Sequence, residues 1–295
     1  MARICTRAER QARRCVNQRA APIPPLATPA VLRNASSLHD LRVACRRTRV
    51  ALAEFGDVIA PGPRRDARDS LRDVRRRLGK VRELDVNLSL LKDFAEQHPE
   101  AEAYARDRLE RERAAACEAL SGLGAELDSQ RWEEMLDSLR HAFRRTTHCY
   151  RKQAEQRLKS RLKKLDKQYR VWQDTQRPDD LHDLRIRFKK MRYTLEVYAG
   201  LYGKDGTKVL SELETAQDAL GVWNDYRTLY ENLRAFEART KDSVRDSYFR
   251  LLDGIQATRD AKLDSVNEQT RLFFKKSRLR AMKQLFGKPK SPCCD

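Results

Sequence analysis

Long stretches of this chain carry apolar residues at steps of three and four, with few helix-breaking residues between them. One such series is Leu71, Val74, Leu78, Val81 and Leu88, and a second is Leu158, Leu162, Leu165, Tyr169 and Trp172. These steps place side chains on one face of an α-helix, whereas the alternation typical of a strand is missing from the sequence. Proline and glycine cluster at residues 22–29, 61–63, 99, 122–124, 178 and 200–206, where we expect the helices to break. The pattern predicts an all-α fold.

One segment occurs twice in the chain. LHDLRVACRRTRVAL begins at Leu38 and LHDLRIRFKKMRYTL begins at Leu181, with seven of fifteen positions identical. Further along, LGKVREL at Leu78 matches LGVWNDY at Leu220, and the two offsets are 143 and 142 residues. The common order and spacing indicate an internal duplication into two four-helix bundles related by an approximate two-fold axis. We predict one domain at about residues 3–285, with repeat one at about 3–125, repeat two at about 131–285 and a tail at 286–295.

Each copy of the repeated segment carries a stripe of basic residues along one helix face. The first stripe is His39, Arg42, Arg46 and Arg49, and the second is His182, Arg185, Lys189 and Arg192. Each stripe covers about 15 Å of helix axis. Neither stripe contains an Asp or Glu, and like charges side by side on a helix are destabilising without an anionic partner. We predict that both stripes bind a polyanion, with each His either contacting phosphate or holding the helix in place.

Apolar residues flank the two stripes. The core series of the first helix is Leu38, Leu41, Cys45, Leu52 and Phe55. On the second helix, one flank is Leu184, Phe188, Met191 and Leu195, and the other is Ile186, Tyr193 and Val197. A basic line with packed neighbours on both sides forms the floor or wall of a groove, and low-dielectric walls focus its potential. We expect the two stripes to face one shared groove.

Two further basic runs are candidate extensions of this groove. Residues 144–170 hold eleven Lys or Arg and two acids, and residues 64–83 hold nine basic residues and four acids. The secondary candidates for polyanion binding are Arg72, Arg75, Arg157, Arg161, Lys164 and Tyr193. For any single cation in these runs, a solvated charged face is an equally good interpretation.

Composition and the N-terminal sequence bear on partners and location. The chain has 62 Lys and Arg against 43 Asp and Glu, a net charge of +19, which attracts nucleic acid, anionic membrane or another polyanion. No segment approaches the roughly 20 apolar residues of a membrane span, and the N-terminus lacks the apolar core of a signal peptide. We therefore predict a cytoplasmic protein without membrane contact. The seven cysteines include no C-x-x-C pair, so we predict no disulfide framework, no metal and no cofactor.

The repeated motifs resemble those of the CHAD family, the conserved histidine α-helical domain. The segments at His39 and His182 are similar to its signature helices. LGKVRELD at Leu78 is similar to its L-G-x-x-R-D-x-D, with Glu83 where the family has Asp, and LGVWND at Leu220 is similar to its L-G-x-x-N-D. The resemblance implies a duplicated helical domain that binds inorganic polyphosphate in a basic central groove, often at polyphosphate granules. It also implies that the eight residues of the two stripes contact the ligand.

Three other functions stay open at this point. A nucleic-acid-binding protein fits the charge, although the sequence shows no recognition module and aromatics make up only 7%. A polyphosphate-processing enzyme would need metal-holding carboxylates or an activated nucleophile, and we find no such motif. Asp85 and Asp225 are better interpreted as helix-positioning or Arg-pairing residues, so we predict no enzyme. A scaffold that brings granule-associated proteins to polyphosphate is compatible with binding.

Overall fold

The computed structural model describes residues 2–26, 35–120, 122–127, 130–144 and 149–287. Within these ranges it contains twelve α-helices and no β-strand, apart from an isolated bridge between Ile59 and Phe143. The helices are α1 (Ala2–Ala20), α2 (Ile23–Leu26), α3 (Ala35–Glu54), α4 (Pro61–Leu91), α5 (Pro99–Glu118), α6 (Leu123–Leu127), α7 (Gln130–His141), α8 (Tyr150–Thr175), α9 (Pro178–Tyr198), α10 (Gly203–Arg234), α11 (Arg245–Phe273) and α12 (Lys276–Gly287). The prediction of an all-α fold is confirmed.

The predicted breaks coincide with helix boundaries for a local reason. Helices α4, α5 and α9 each begin at a proline, whose fixed φ and missing N–H suit the first helical position. Helix α8 ends where Gln176 adopts a left-handed backbone conformation, with φ 51°. The Asp180 carboxylate accepts hydrogen bonds from Thr175 and Arg177 across this turn. These contacts fix where the second basic helix, α9, starts.

The apolar faces predicted from the sequence form the core. On α3 the residues Leu38, Leu41, Cys45 and Leu52 are fully buried, and on α9 so are Leu184, Phe188, Met191 and Leu195. On the second flank of α9, Tyr193 and Val197 are buried while Ile186 is half-buried. Helix α12 ends at Gly287, and Phe286 in its last turn is fully buried. The remaining tail, including its two cysteines, lies outside the described residues.

The hydrophobic core does not divide between the two halves of the sequence. The larger cluster takes side chains from α1 through to α12. The smaller cluster joins Leu84 and Leu109 of the first half to Leu229 and Ile255 of the second. Helix α3 packs on α4 and also contacts α9, and α4 contacts α10. The two halves therefore share their core, and the duplication into two bundles stays a prediction from the sequence.

None of the helices in the described ranges has both the length and the apolar content needed to cross a membrane.

Candidate functional site

The two basic stripes meet at one cleft between α3, α4, α9 and α10, with a volume of about 280 Å³. Five of the eight stripe residues line it: His39, Arg42, Arg46, Arg185 and Lys189. The stripes come together because α3 and α9 contact each other directly, each with its basic face toward the space between them. The cleft is thus built from both halves of the chain.

The other two walls come from the downstream motifs on α4 and α10. Their lining residues are Gly79, Arg82, Glu83, Val86 and Asn87 on α4, and Asn224, Asp225 and Thr228 on α10. Sequence reasoning did not assign these residues to the site. Arg82, Glu83, Asn224 and Asp225 lie within the repeated L-G motifs, which was a usable signal. Nothing in the sequence pattern distinguishes Asn87.

Lys189 is the most perturbed cation of the cleft. Burial, followed by repulsion from Arg185 and Arg46, lowers its pKa to about 7, although Asp225 acts in the opposite direction. Burial also lowers the pKa of Arg42, Arg46 and Arg185. A row of desolvated cations with depressed pKa values is destabilising in the empty protein and is relieved by an anion.

Several polar groups at the cleft have no hydrogen-bond partner among the described residues. They are the Nε atoms of Arg46 and Arg185 and both side-chain amide atoms of Asn87, which is almost fully buried. The Arg42 side chain donates a long hydrogen bond from Nη1 to the Gly79 carbonyl, at 3.5 Å. Buried polar groups in native proteins are nearly always paired, so these groups indicate a ligand or bound water.

The two histidines differ in their surroundings. His39 lies at the exposed rim of the cleft, where partial burial and then the charge of Arg82 lower its pKa. His182 does not line the cleft. Its Nδ1 lies 2.7 Å from Oδ1 of Asn224, an amide oxygen that accepts, so Nδ1–H donates and holds this wall residue in place. The sequence left phosphate contact and a structural role open for each His. For His182, the hydrogen bond with Asn224 fits the structural role.

Arg192 corrects the expectation that the second stripe has no acidic partner. Its guanidinium pairs with Glu196 at 3.4 Å and with Glu214 at 3.3 Å, and it does not line the cleft. Glu196 lies one turn beyond the stripe and Glu214 comes from α10, so neither pairing was visible within the stripe. The guanidinium groups of Arg46 and Arg192 both contact the buried ring of Tyr193, a secondary candidate, at 4.4 and 4.9 Å from its centroid.

Arg49 also lies outside the cleft, beside a group of arginines on α4. Burial lowers its pKa, and Arg75, Arg68 and Arg72 lower it further. Arg72 pairs with Asp69 at 3.0 Å, whereas Arg75 has no ion pair within the described ranges. The secondary candidates Arg72 and Arg75 are thus exposed neighbours of Arg49.

The structure places the α8 candidates on a different flank of α9. Arg157 and Arg161 face the buried carboxylate of Glu54, at 3.9 and 3.3 Å. Glu54 also accepts a hydrogen bond from Thr194 at 3.0 Å. Thr194 lies about 140° around the α9 axis from Lys189, so this contact is on another face of the helix. Lys164 is exposed on the same helix and repels Lys190. None of these three residues lines the cleft, and their part in extending the groove stays a prediction.

The aspartates of the two repeated L-G motifs both pair with arginines. Asp85 pairs with Arg113 at 2.5 Å and Asp225 lies 3.8 Å from Arg185, which confirms the Arg-pairing interpretation of both. Burial raises the pKa of Asp225. Over the described residues, no three His, Cys, Asp or Glu side chains are grouped closely enough to hold a metal ion.

A family model and two solved structures match this chain. The family model of the CHAD domain matches residues 26–234. The crystal structure of the CHAD domain from the plant Ricinus communis is similar with a TM-score of 0.66 and 22% identity, covering 91% of each chain. PptA from Streptomyces chartreusis is similar with a TM-score of 0.66 and 15% identity, covering 89% of this chain and 99% of that one. No curated protein matches. At these identities the structures establish the fold, and the family model covers most of the sequence. The chain therefore belongs to the CHAD domain family, which is generally related to polyphosphate.

Proposed function

We propose that this protein binds inorganic polyphosphate in the cleft between α3, α4, α9 and α10. The observation that carries the proposal is the meeting of both basic stripes in that one cleft. Arg42, Arg46, Arg82, Arg185 and Lys189 line it, against the two carboxylates Glu83 and Asp225. Polyphosphate is a flexible polyanion, so a row of cations on several helices suits it better than one deep pocket.

The residue types fit phosphate recognition. An Arg guanidinium can hold two phosphate oxygens at once, whereas Lys acts as a point charge. We assign the main contacts to Arg42, Arg46, Arg185 and Lys189, with His39 and Arg82 at the rim. The unpartnered amide of Asn87 is placed to donate to a phosphate oxygen. His182 acts through Asn224, and Arg192 acts through Tyr193.

The second candidate is nucleic-acid binding, which shares the phosphate chemistry. The described side chains that line the cleft include no aromatic ring, so bases would find no stacking platform there. A competition experiment distinguishes the two ligands. Labelled polyphosphate is bound at physiological salt, and single-stranded DNA is added at equal phosphate concentration. We expect little displacement by DNA, and full displacement would contradict the choice of polyphosphate.

The proposal is for binding without catalysis. Of the two cleft carboxylates, Asp225 lies beside Arg185, and Glu83 accepts hydrogen bonds from Asn232 and Lys80. We assign neither of them to Mg²⁺ binding or to the activation of water. We expect no phosphate release from long-chain polyphosphate with Mg²⁺, and release that Asp225→Asn abolishes would show an enzyme instead. We further propose that binding takes place in the cytoplasm at polyphosphate granules, with granule-associated proteins as partners.

A further inference from the structure

The two helix pairs that build the cleft continue beyond it, and their charges differ there. On α4, Gly79, Arg82 and Val86 line the cleft, and Arg75 precedes them on the same helix face. On α10, Asn224 and Thr228 line the cleft, and Gln217 occupies the matching face position. We call these continuations the α3–α4 side and the α9–α10 side.

The α3–α4 side is strongly basic. Its charged residues are Arg49, Arg68, Arg72 and Arg75, with Asp69 as the acid beside them. The Nε atoms of Arg49 and Arg68 are buried without a hydrogen-bond partner in the described part of the chain. Arg75 lies close enough to both Arg42 and Arg49 to lower the pKa of each. It therefore connects the cleft to the outer arginines without a gap in positive charge.

The α9–α10 side is neutralised by the protein itself. Arg192 holds the position that follows Lys189 in the stripe, but Glu196 and Glu214 pair with it at 3.4 and 3.3 Å. Glu196 also pairs with Arg47 at 3.4 Å. On α10, the residue that continues the cleft-facing side of the helix is Gln217, which is uncharged and buried. A polyanion would meet two arginines paired with two carboxylates here, against four arginines and one carboxylate on the other side.

We propose that a polyphosphate chain too long for the cleft leaves it along the α3–α4 side, where Arg49, Arg68, Arg72 and Arg75 form a second phosphate subsite. The α9–α10 side does not take part. This inference rests on the proposed function, because it extends the same ligand. It makes the protein selective for long chains, since a short chain fills the cleft and never reaches the outer arginines.

The test compares tripolyphosphate with long-chain polyphosphate. The variant Arg72→Ala/Arg75→Ala changes two exposed positions on a helix, where alanine is well tolerated. Lys163→Ala/Lys167→Ala on α8 is the control, because it removes the same charge from two exposed residues away from the cleft. We expect the first variant to weaken long-chain binding about tenfold relative to the control, with a clearly smaller loss for tripolyphosphate. Equal losses for both ligands, or equal losses in both variants, would overturn the subsite.

A second variant tests the blocked side. Glu214→Gln removes one of the carboxylates that pair with Arg192, at an exposed position. We expect it to strengthen long-chain binding by a few-fold and to leave tripolyphosphate binding nearly unchanged. No gain would contradict the claim that these carboxylates exclude the chain. If the proposed function itself is wrong, the result is different: tripolyphosphate binding would then be unchanged by substitution of Arg46 and Lys189.

Discussion

At the scale of single residues, the site depends on cations whose charged form is destabilised by burial and by neighbouring positive charges. Lys189 lies among Arg42, Arg46 and Arg185, and Asp225 opposes their combined charge. The stripes were predictable because helical spacing decides which residues share a face. The expectation that Arg192 has no acidic partner was wrong, because Glu196 and Glu214 lie outside the stripe. Its pairing with Glu214 depends on how α9 and α10 pack.

Lys189 predicts a pH dependence of binding. In the empty protein its pKa is about 7, so it loses its proton as the pH rises through neutrality. Phosphate oxygens favour the protonated form, so binding above that pKa takes up a proton and affinity falls by up to about tenfold per pH unit. Below pH 7 the contribution of Lys189 is constant. Titration of wild type and Lys189→Arg between neutral and alkaline pH measures this, and the Arg variant should lose most of the dependence. The same slope in both proteins would contradict the role of Lys189.

At the scale of helices, the different faces of α9 contact different parts of the protein. Leu184, Phe188 and Met191 are buried in the core, while Lys189 and Arg185 face the cleft. A further face, through Thr194, meets Glu54 and the arginines of α8. The start of α9 was predictable because proline acts locally. The contact of the α8 arginines with Glu54 was not predictable, because a basic run does not show which neighbour it faces.

The Glu54 contacts predict a structural role for the α8 arginines. The Glu54→Gln variant removes the charge that holds Arg157 and Arg161, while an amide oxygen can still accept from Thr194. We expect the free energy of unfolding to fall by about 1.5–3 kcal/mol, the scale of a hydrogen bond to a charged group. Polyphosphate affinity should stay within about twofold, because these residues are not at the cleft. Chemical denaturation and a binding titration test both parts. A large loss of affinity at unchanged stability would show that α8 belongs to the site.

At the scale of the whole molecule, the two halves share one core and one cleft. The sequence predicted the helices and their apolar faces but not this shared core, because packing between helices is set by the tertiary fold. The net charge of +19 is unevenly used. Some arginines are neutralised in ion pairs such as Arg113–Asp85, whereas Arg42 and Arg46 of the cleft and Arg49 of the α3–α4 side have no ion pair within the described ranges.

This charge distribution predicts a steep salt dependence. Five Arg and Lys side chains line the cleft, so counterion release gives a slope on the order of −4 for log affinity against log salt. Titrations at a series of salt concentrations measure the slope, and Arg82→Ala should reduce it by about one. A nearly flat dependence would mean that contacts other than phosphate charge hold the ligand.

The central claim is that the cleft shared by the two stripes is the polyphosphate site. It is tested most directly by calorimetric titration of long-chain polyphosphate into wild type, Arg46→Ala/Lys189→Ala and the charge-matched Lys163→Ala/Lys167→Ala at physiological salt. We predict that the cleft variant loses about a hundredfold in affinity, since two charge-assisted phosphate contacts disappear. The α8 control should lose no more than a few-fold. Equal losses in the two variants would contradict the claim, because binding would then follow net charge and not the cleft.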